Sequence, residues 1–274
     1  MKALNLIGGG KMGTAILAGA LDRGLYSAEE VVVTVRDRVR SSALVLDRCP
    51  GVEISEVAVA AETHLVAVKP AQVRAIVETL AKQKVVSQRL VSIAAGVTLS
   101  SLETWIGDGR PVVRVMPNTP ALVGRAVSGI TYGSAVTEQD CAVVERLFGS
   151  IGSVHVVSEA QFDPLMAISG SGPAYLYLFL EALEDAGVEA GLQRSLAREL
   201  ALKMVDGATR LALQTERPPQ ELRYEVTSPG GTTAAALGEF ESHGFRSMVN
   251  AAVRACIARS VRLGGGRVGE LPSR

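Results

Sequence analysis

The chain has 274 residues, of which 47% are apolar and 20% charged, enough for one large domain or two moderate ones with a proper interior. Lys plus Arg balances Asp plus Glu, so no net field draws it onto nucleic acid or an anionic membrane, and any anionic ligand must be held by local groups. Its apolar run closest to a membrane span, residues 167–183, is interrupted by Ser169, Gly170, Ser171, Gly172, Pro173 and Glu181, short of the ~18 continuous apolar residues a span needs.

The N-terminal apolar run is strand-length and is expected to be a strand rather than a signal peptide. Residues 4–7 predict a strand, and a helix follows over about 12–22, closed near Gly24. Residues 31–35, β-branched throughout, predict a second strand. Helical sequence fills 39–48, with Pro50 and Gly51 as its stop. A strand over 64–68 ends at Lys69 and Pro70, a helix covers about 73–80, and 90–93 is strand again. Residues 112–116 and 129–132 predict two more strands. Such alternation points to a parallel sheet with helices on both faces. After about residue 158 strand-like runs nearly vanish, and 175–186, 194–214, 233–240 and 245–263 all predict helices. A domain boundary is expected there, dividing an α/β half, 1–158, from an all-α half, 159–274. The glycines at 264–266 are expected to begin a frayed tail.

Cys49, Cys141 and Cys256 are odd in number and far apart, with no metal spacing. They predict reduced thiols in a reducing, cytoplasmic compartment and no metal site.

The first strand runs directly into Gly8-Gly9-Gly10-Lys11-Met12-Gly13, which contains GxGxxG. Gly8 permits the tight turn, Gly10 lets backbone approach a pyrophosphate, and Gly13 lets helix pack on strand. The helix beginning at Lys11 and Met12 then aims its amides at the phosphates. The motif alone is weak, but its place between strand and helix points to a dinucleotide. At the tip of the second strand stands Val35-Arg36-Asp37-Arg38. Arg36, assisted by Arg38, would pair with the extra phosphate of NADPH, whereas Asp37 at the tip would suit NADH. NADPH is favoured, with NADH as the alternative.

Ligands lie beyond the C-terminal ends of parallel strands. Val68, Lys69 and Pro70 end one strand, and Ala94, Ala95 and Gly96 follow the next. Both groups are candidates for the cofactor. Lys69 before a turn is more often solvated than catalytic. Asn118, between Pro117 and Pro120, is the polar group a rigid turn would present. In the helical half, Val226-Thr227-Ser228-Pro229-Gly230-Gly231-Thr232-Thr233 stands directly before a helix. Exposed amides flanked by hydroxyls make an anion site that suits a substrate carboxylate. Helix capping by Thr232 or Thr233 is the plainer alternative.

Together the segments 8–13, 66–70, 94–96, 114–120, 170–175 and 226–233 resemble the pyrroline-5-carboxylate reductases, over nearly the whole chain. The resemblance implies a Rossmann-like N-terminal domain, an all-α C-terminal dimerisation domain, and a homodimer that can assemble further. It implies reduction of a small-molecule substrate, (S)-1-pyrroline-5-carboxylate, to L-proline, the last step of proline synthesis. It also implies that Thr233 is catalytic, hydrogen-bonding the imine nitrogen, while Ser228, Gly230, Gly231 and Thr232 hold the carboxylate. The family often has an acid just before the strand ending in Lys-Pro, where this chain has Thr63-His64. His64 is expected to be structural, and His155 and His243 show no partner pattern. A β-hydroxyacid dehydrogenase would need a lysine where Leu176 stands. A regulator without chemistry would not need the Thr233 cluster. The long apolar helices are expected to be completed by a partner subunit.

Overall fold

The computed structural model describes residues 1–36, 38–85, 87–107 and 109–264, with the backbone alone at 38–41. Among the described residues eight strands form one sheet: β1 (Lys2–Ile7), β2 (Val31–Thr34), β3 (Glu53–Ser55), β4 (Ala61–Val66), β5 (Arg89–Ser92), β6 (Val112–Met116), β7 (Ala126–Tyr132) and β8 (Gly152–Val156). Their order is β3-β2-β1-β4-β5-β6-β7-β8. The first six are parallel, as the alternating pattern predicts. β7 runs antiparallel to β6, and β8 runs parallel to β7, which corrects the expectation of an all-parallel sheet. The link over 117–125 holds only a 3₁₀ turn, Thr119–Val123, ended by Gly124 at φ +67°. A parallel crossover needs about a dozen residues or more, so the chain reverses instead.

The helices of this part are α1 (Lys11–Asp22), α2 (Arg38–Arg48), α3 (Pro70–Lys82), α4 (Leu99–Ile106), α5 (Glu138–Gly149) and α6 (Glu159–Leu165). Alternation along β1 sends Leu4 and Leu6 into one core layer, with Ile16, Leu17, Leu147 and Phe148. Ile7 faces the other layer, with Val66, Val73, Val77, Leu80 and Leu102. Asn5, on that second face, is fully buried. Its Nδ2 donates to Thr34 Oγ1 at 2.8 Å, and its Oδ1 accepts from the Val59 amide at 3.1 Å. His64, also fully buried, has Nε2 2.9 Å from the Val59 carbonyl, so His64 has a structural partner, as expected. Burial holds its pKa below the ordinary range, against the Val59 hydrogen bond.

A π-helical turn, Met166–Gly170, follows α6. The rest is helical: α7 (Gly172–Glu189), α8 (Arg194–Thr215), α9 (Pro219–Glu225), α10 (Thr232–Ser242) and α11 (Phe245–Leu263). The chain divides into two compact units, Met1–Ser171 joined by the segment from Ala255, and Gly172–Arg254. The composition change at 158 coincides with the start of α6, but α6 packs with the sheet, Leu165 lying against Gly129. The sheet unit therefore extends to Ser171 and takes in α11 from Ala255.

In the helical unit the Glu184 carboxylate, on α7, accepts from Arg194 and Arg198 of α8 at 2.8–3.0 Å. Among its described residues only Glu184, Ala197 and Ala201 are buried. Leu178, Leu213 and Met248 are 68%, 74% and 60% exposed. Four long or middling helices with so little interior do not stabilise themselves as an isolated unit. No helix among the described residues is long and apolar enough to cross a membrane.

Candidate active site

Six of the strands are parallel, so β1, β2, β4, β5 and β6 all end at the same edge of the sheet. The order reverses between β1 and β4, and a crevice at such a switch point is where open α/β sheets hold ligands.

Gly8 leaves β1 at φ +112°, a conformation that side chains rarely adopt. A Cβ there would stand 2.7 Å from the Ala67 carbonyl oxygen and 2.9 Å from Val68 Cγ1. Gly13 is equally confined, its Cβ position 2.9 Å from the Gly8 carbonyl and 3.0 Å from Ala67 Cβ. Gly8, Gly13 and the strand end at Val68 are thus brought together by close packing. Gly10 differs: nothing lies within 4 Å of its Cβ position. It is the N-cap of α1, with no side-chain cap, and the first backbone bond of the turn runs from the Thr14 amide to the Gly10 carbonyl at 2.9 Å. The amides of Lys11, Met12 and Gly13 therefore have no acceptor inside the helix. Open space in front of Gly10, beside three helix-end amides, fits a pyrophosphate.

The other residues expected at the cofactor surround this edge. Arg36 follows β2 and is exposed. Asp37 lies outside the described residues, as does the side chain of Arg38. Lys69 is exposed and caps α3, with Pro70 at its first position. Ala94, Ala95 and Gly96 follow β5, with Ala94 and Gly96 buried. Gly96 has φ +72°, and its Cβ position is 2.8 Å from Leu263 Cβ.

One expectation is corrected. Asn118 does not present its side chain outward: it is 6% exposed. Its Nδ2 donates to the Ser169 carbonyl and its Oδ1 accepts from the Val127 amide, both at 2.9 Å. The amide is spent on joining the β6–β7 turn to the π-helical turn. Ala67, which is not among the expected site residues, walls both Gly8 and Gly13. Its signal in the sequence is a small residue between two valines just before Lys-Pro.

The second group lies in the helical unit. The Gly231 amide donates to the Ser228 carbonyl at 3.1 Å, closing a four-residue turn. Pro229 in its second place and Gly230 at φ +68° in its third are the signature of a type II turn. A Cβ on Gly231 would collide with Ser228 Oγ, so the second glycine leaves room for that hydroxyl. Gly231 then caps α10 without a side-chain bond, and the helix begins at Thr232. Thr232 and Thr233 occupy its first two positions and so are not its cap residue, which removes the plainer reading of their hydroxyls. The first backbone bond of α10 joins the Ala235 amide to the Gly231 carbonyl at 3.1 Å. The amides of Thr232, Thr233 and Ala234 therefore point out of the helix end, and Ser228, three residues before the cap, is exposed. Thr233 is half-buried.

The chain is similar to known proteins over nearly its whole length. The family model for pyrroline-5-carboxylate reductase dimerisation matches residues 159–263, and that for NADP oxidoreductase, coenzyme F420-dependent, matches 3–96. The pyrroline-5-carboxylate reductase of Pisum sativum is 40% identical over 264 residues, covering 95% of each chain. A solved structure of the enzyme from Coxiella burnetii is 34% identical with a TM-score of 0.86, covering 96% of this chain and 98% of its own. The Plasmodium falciparum pyrroline carboxylate reductase, crystallised with NADP bound, is 30% identical with a TM-score of 0.85 over 96% of this chain and 98% of its own.

Proposed function

This chain belongs to the pyrroline-5-carboxylate reductase family, and from that premise we propose that it reduces (S)-1-pyrroline-5-carboxylate to L-proline with hydride from NAD(P)H. The observation that carries the reading is the N-terminus of α10. Three outward amides, the Ser228 hydroxyl and the Thr233 hydroxyl lie within residues 228–234, without any lysine or arginine among them. The amides and Ser228 bind a carboxylate by hydrogen bonding and the helix dipole. Gly230 and Gly231 shape the turn, and Thr232 supplies the first amide. Thr233 hydrogen-bonds the ring nitrogen.

When bound, the reduced nicotinamide supplies the hydride that adds to the C=N carbon. The residues of this chain orient the imine for that addition and hold its nitrogen by Thr233. An imine that arrives protonated needs no strong acid from the protein, and positioning carries most of the rate. Gly8, Gly10, Lys11, Met12 and Gly13 form the pyrophosphate cradle. Val68, Lys69, Pro70, Ala94, Ala95 and Gly96 line the adjoining strand ends, with Asn118 bracing the neighbouring turn. Arg36 favours NADPH. NADP bound in the Plasmodium relative supports that choice.

The division of labour follows residue 158, with dinucleotide binding before it and substrate binding and dimerisation after it. The exposed leucines and methionines of the helical unit support a homodimer, open to further assembly. The balanced charge speaks against nucleic acid and membrane partners, and three free cysteines suit the cytoplasm. The deciding assay follows NADPH and NADH oxidation with pyrroline-5-carboxylate, beside a panel of hydroxy and keto acids. Turnover confined to the hydroxy or keto acids, or to none of the substrates, overturns the proposal.

A further inference from the structure

One ion pair and two hydrogen bonds inside the sheet unit meet on α6, a helix of seven residues that carries none of the site groups above. Glu159 and Asp163 stand one turn apart on it and share a face. Glu159 Oε1 accepts from the Leu99 amide at 3.1 Å and from Arg114 Nη1 at 2.6 Å. Leu99 opens α4, immediately after the loop 94–98 that leaves β5. Asp163 Oδ1 accepts from the Ser260 hydroxyl at 2.7 Å. Ser260 is buried in the last turns of α11, and three residues on, Leu263 lies against Gly96 in the same loop.

The loop is therefore held at both sides from one helix. Glu159 fixes its exit through the Leu99 amide. Asp163 fixes the end of α11, whose Leu263 covers Gly96 at its centre. Arg114 keeps Glu159 in place: it is 3% exposed, and its guanidinium carbon sits 3.7 Å from the centre of the Phe162 ring, on the same helix. A stacked guanidinium bonded to a carboxylate has little freedom to swing away. Cationic Arg114 needs Glu159, since a buried charge without a partner is strongly destabilising.

We propose that Glu159 and Asp163 are positioning residues that hold the loop 94–98 in the shape that receives a dinucleotide. The inference rests on the assignment of Ala94, Ala95 and Gly96 to the cofactor. Neither carboxylate touches the cofactor in this scheme. Each acts by keeping the loop populated in one conformation, and apparent affinity falls in proportion to the fraction of protein that keeps it.

The test is equilibrium NADPH binding to the full chain, read by nicotinamide fluorescence without imine, for the parent, Glu159→Ala, Glu159→Gln and Ser260→Ala. Glu159→Ala is expected to weaken NADPH about tenfold, as a charge-assisted hydrogen bond is lost. Glu159→Gln is expected to stay within about threefold of the parent, because its amide oxygen still accepts from Leu99. Ser260→Ala, which leaves the Arg114 pair untouched, is expected to weaken NADPH about threefold, as the single hydrogen bond from its hydroxyl to the Asp163 carboxylate is lost. The KM for the imine at saturating NADPH is expected to stay unchanged in all three. A purely structural role would lower the melting temperature and leave NADPH affinity alone. Parent affinity in folded Glu159→Ala overturns the proposal while leaving the cofactor assignment standing. If Glu159→Ala does not fold, Ser260→Ala decides, and parent affinity there overturns it. A parent that binds no NADPH overturns the cofactor assignment and the proposal together.

Discussion

Arg89 Nε donates to Asp140 Oδ1 at 2.7 Å, with both side chains buried. The pair ties β5 to α5, and Arg89 Nη1 also donates to Thr63 Oγ1 on β4 at 2.9 Å. Asp140 accepts from the Thr137 amide and hydroxyl as well. Burial alone would raise its pKa, but the Thr137 bonds and Arg89 together hold it below the ordinary carboxylate range. Asp140→Ala should cost about 3 kcal/mol at pH 7, because Arg89 is left buried and unpaired. A carboxylate with a depressed folded pKa contributes its stability above the unfolded pKa of about 3.9 and loses it as pH falls through the folded value. Urea unfolding of parent and variant should therefore differ most near neutrality and converge as pH drops below about 4.

Gly8 and Gly10 should respond oppositely to the same methyl group. Gly8→Ala meets the Ala67 carbonyl at φ +112° and should lose about 1–3 kcal/mol of stability. Gly10→Ala meets nothing in the protein, so its melting temperature should stay near the parent's. Its NADPH affinity should fall, since the space in front of Gly10 is the proposed seat of the pyrophosphate. Thermal melts beside NADPH titrations check both halves. A Gly10→Ala protein that binds NADPH as the parent does would remove the pyrophosphate from that position.

Arg36 should select the phosphorylated cofactor. Arg36→Ala is expected to raise the KM for NADPH well above any change for NADH, a charge-assisted contact being worth about 1.5–3 kcal/mol. Steady-state kinetics with each cofactor decide the matter. Equal effects on both would point away from a phosphate contact.

Thr233 should matter more in the transition state than in the ground state, because charge at the ring nitrogen changes as hydride arrives. Thr233→Val keeps the shape and removes the hydroxyl, and kcat/KM should drop roughly ten- to a thousand-fold. Thr233→Ser should retain much of the activity, and NADPH affinity should stay near normal in both. Ser228→Ala should mainly raise the KM for the imine, since a carboxylate contact persists through both states. Parent activity in a folded Thr233→Val would show that the hydroxyl has no part in the reaction.

What the sequence determined by itself is what a few neighbouring residues decide. A glycine at φ +112° after a strand and a Pro-Gly pair in a type II turn are governed by sterics within the turn, so Gly8–Gly13 and Ser228–Gly231 were legible at once. The β-branched run at 31–33 and the helical periods of α1, α8 and α11 were legible for the same reason. Short β3 and β8 and the helices α4, α5 and α9 are not legible in the sequence, their local signal being too brief or masked by polar residues. Only the tertiary structure decided the rest. Whether β7 runs with or against β6 depends on how a nine-residue link can span the sheet edge, not on β7 itself. Whether Asn118 faces out or in depends on a carbonyl at Ser169 and an amide at Val127. The return of α11 to the loop at Gly96, through Asp163 and Ser260, joins residues far apart in the chain. Polar side chains satisfy their hydrogen bonds equally well in water or in a packed interior, so their identity leaves the choice open until the partners are in place.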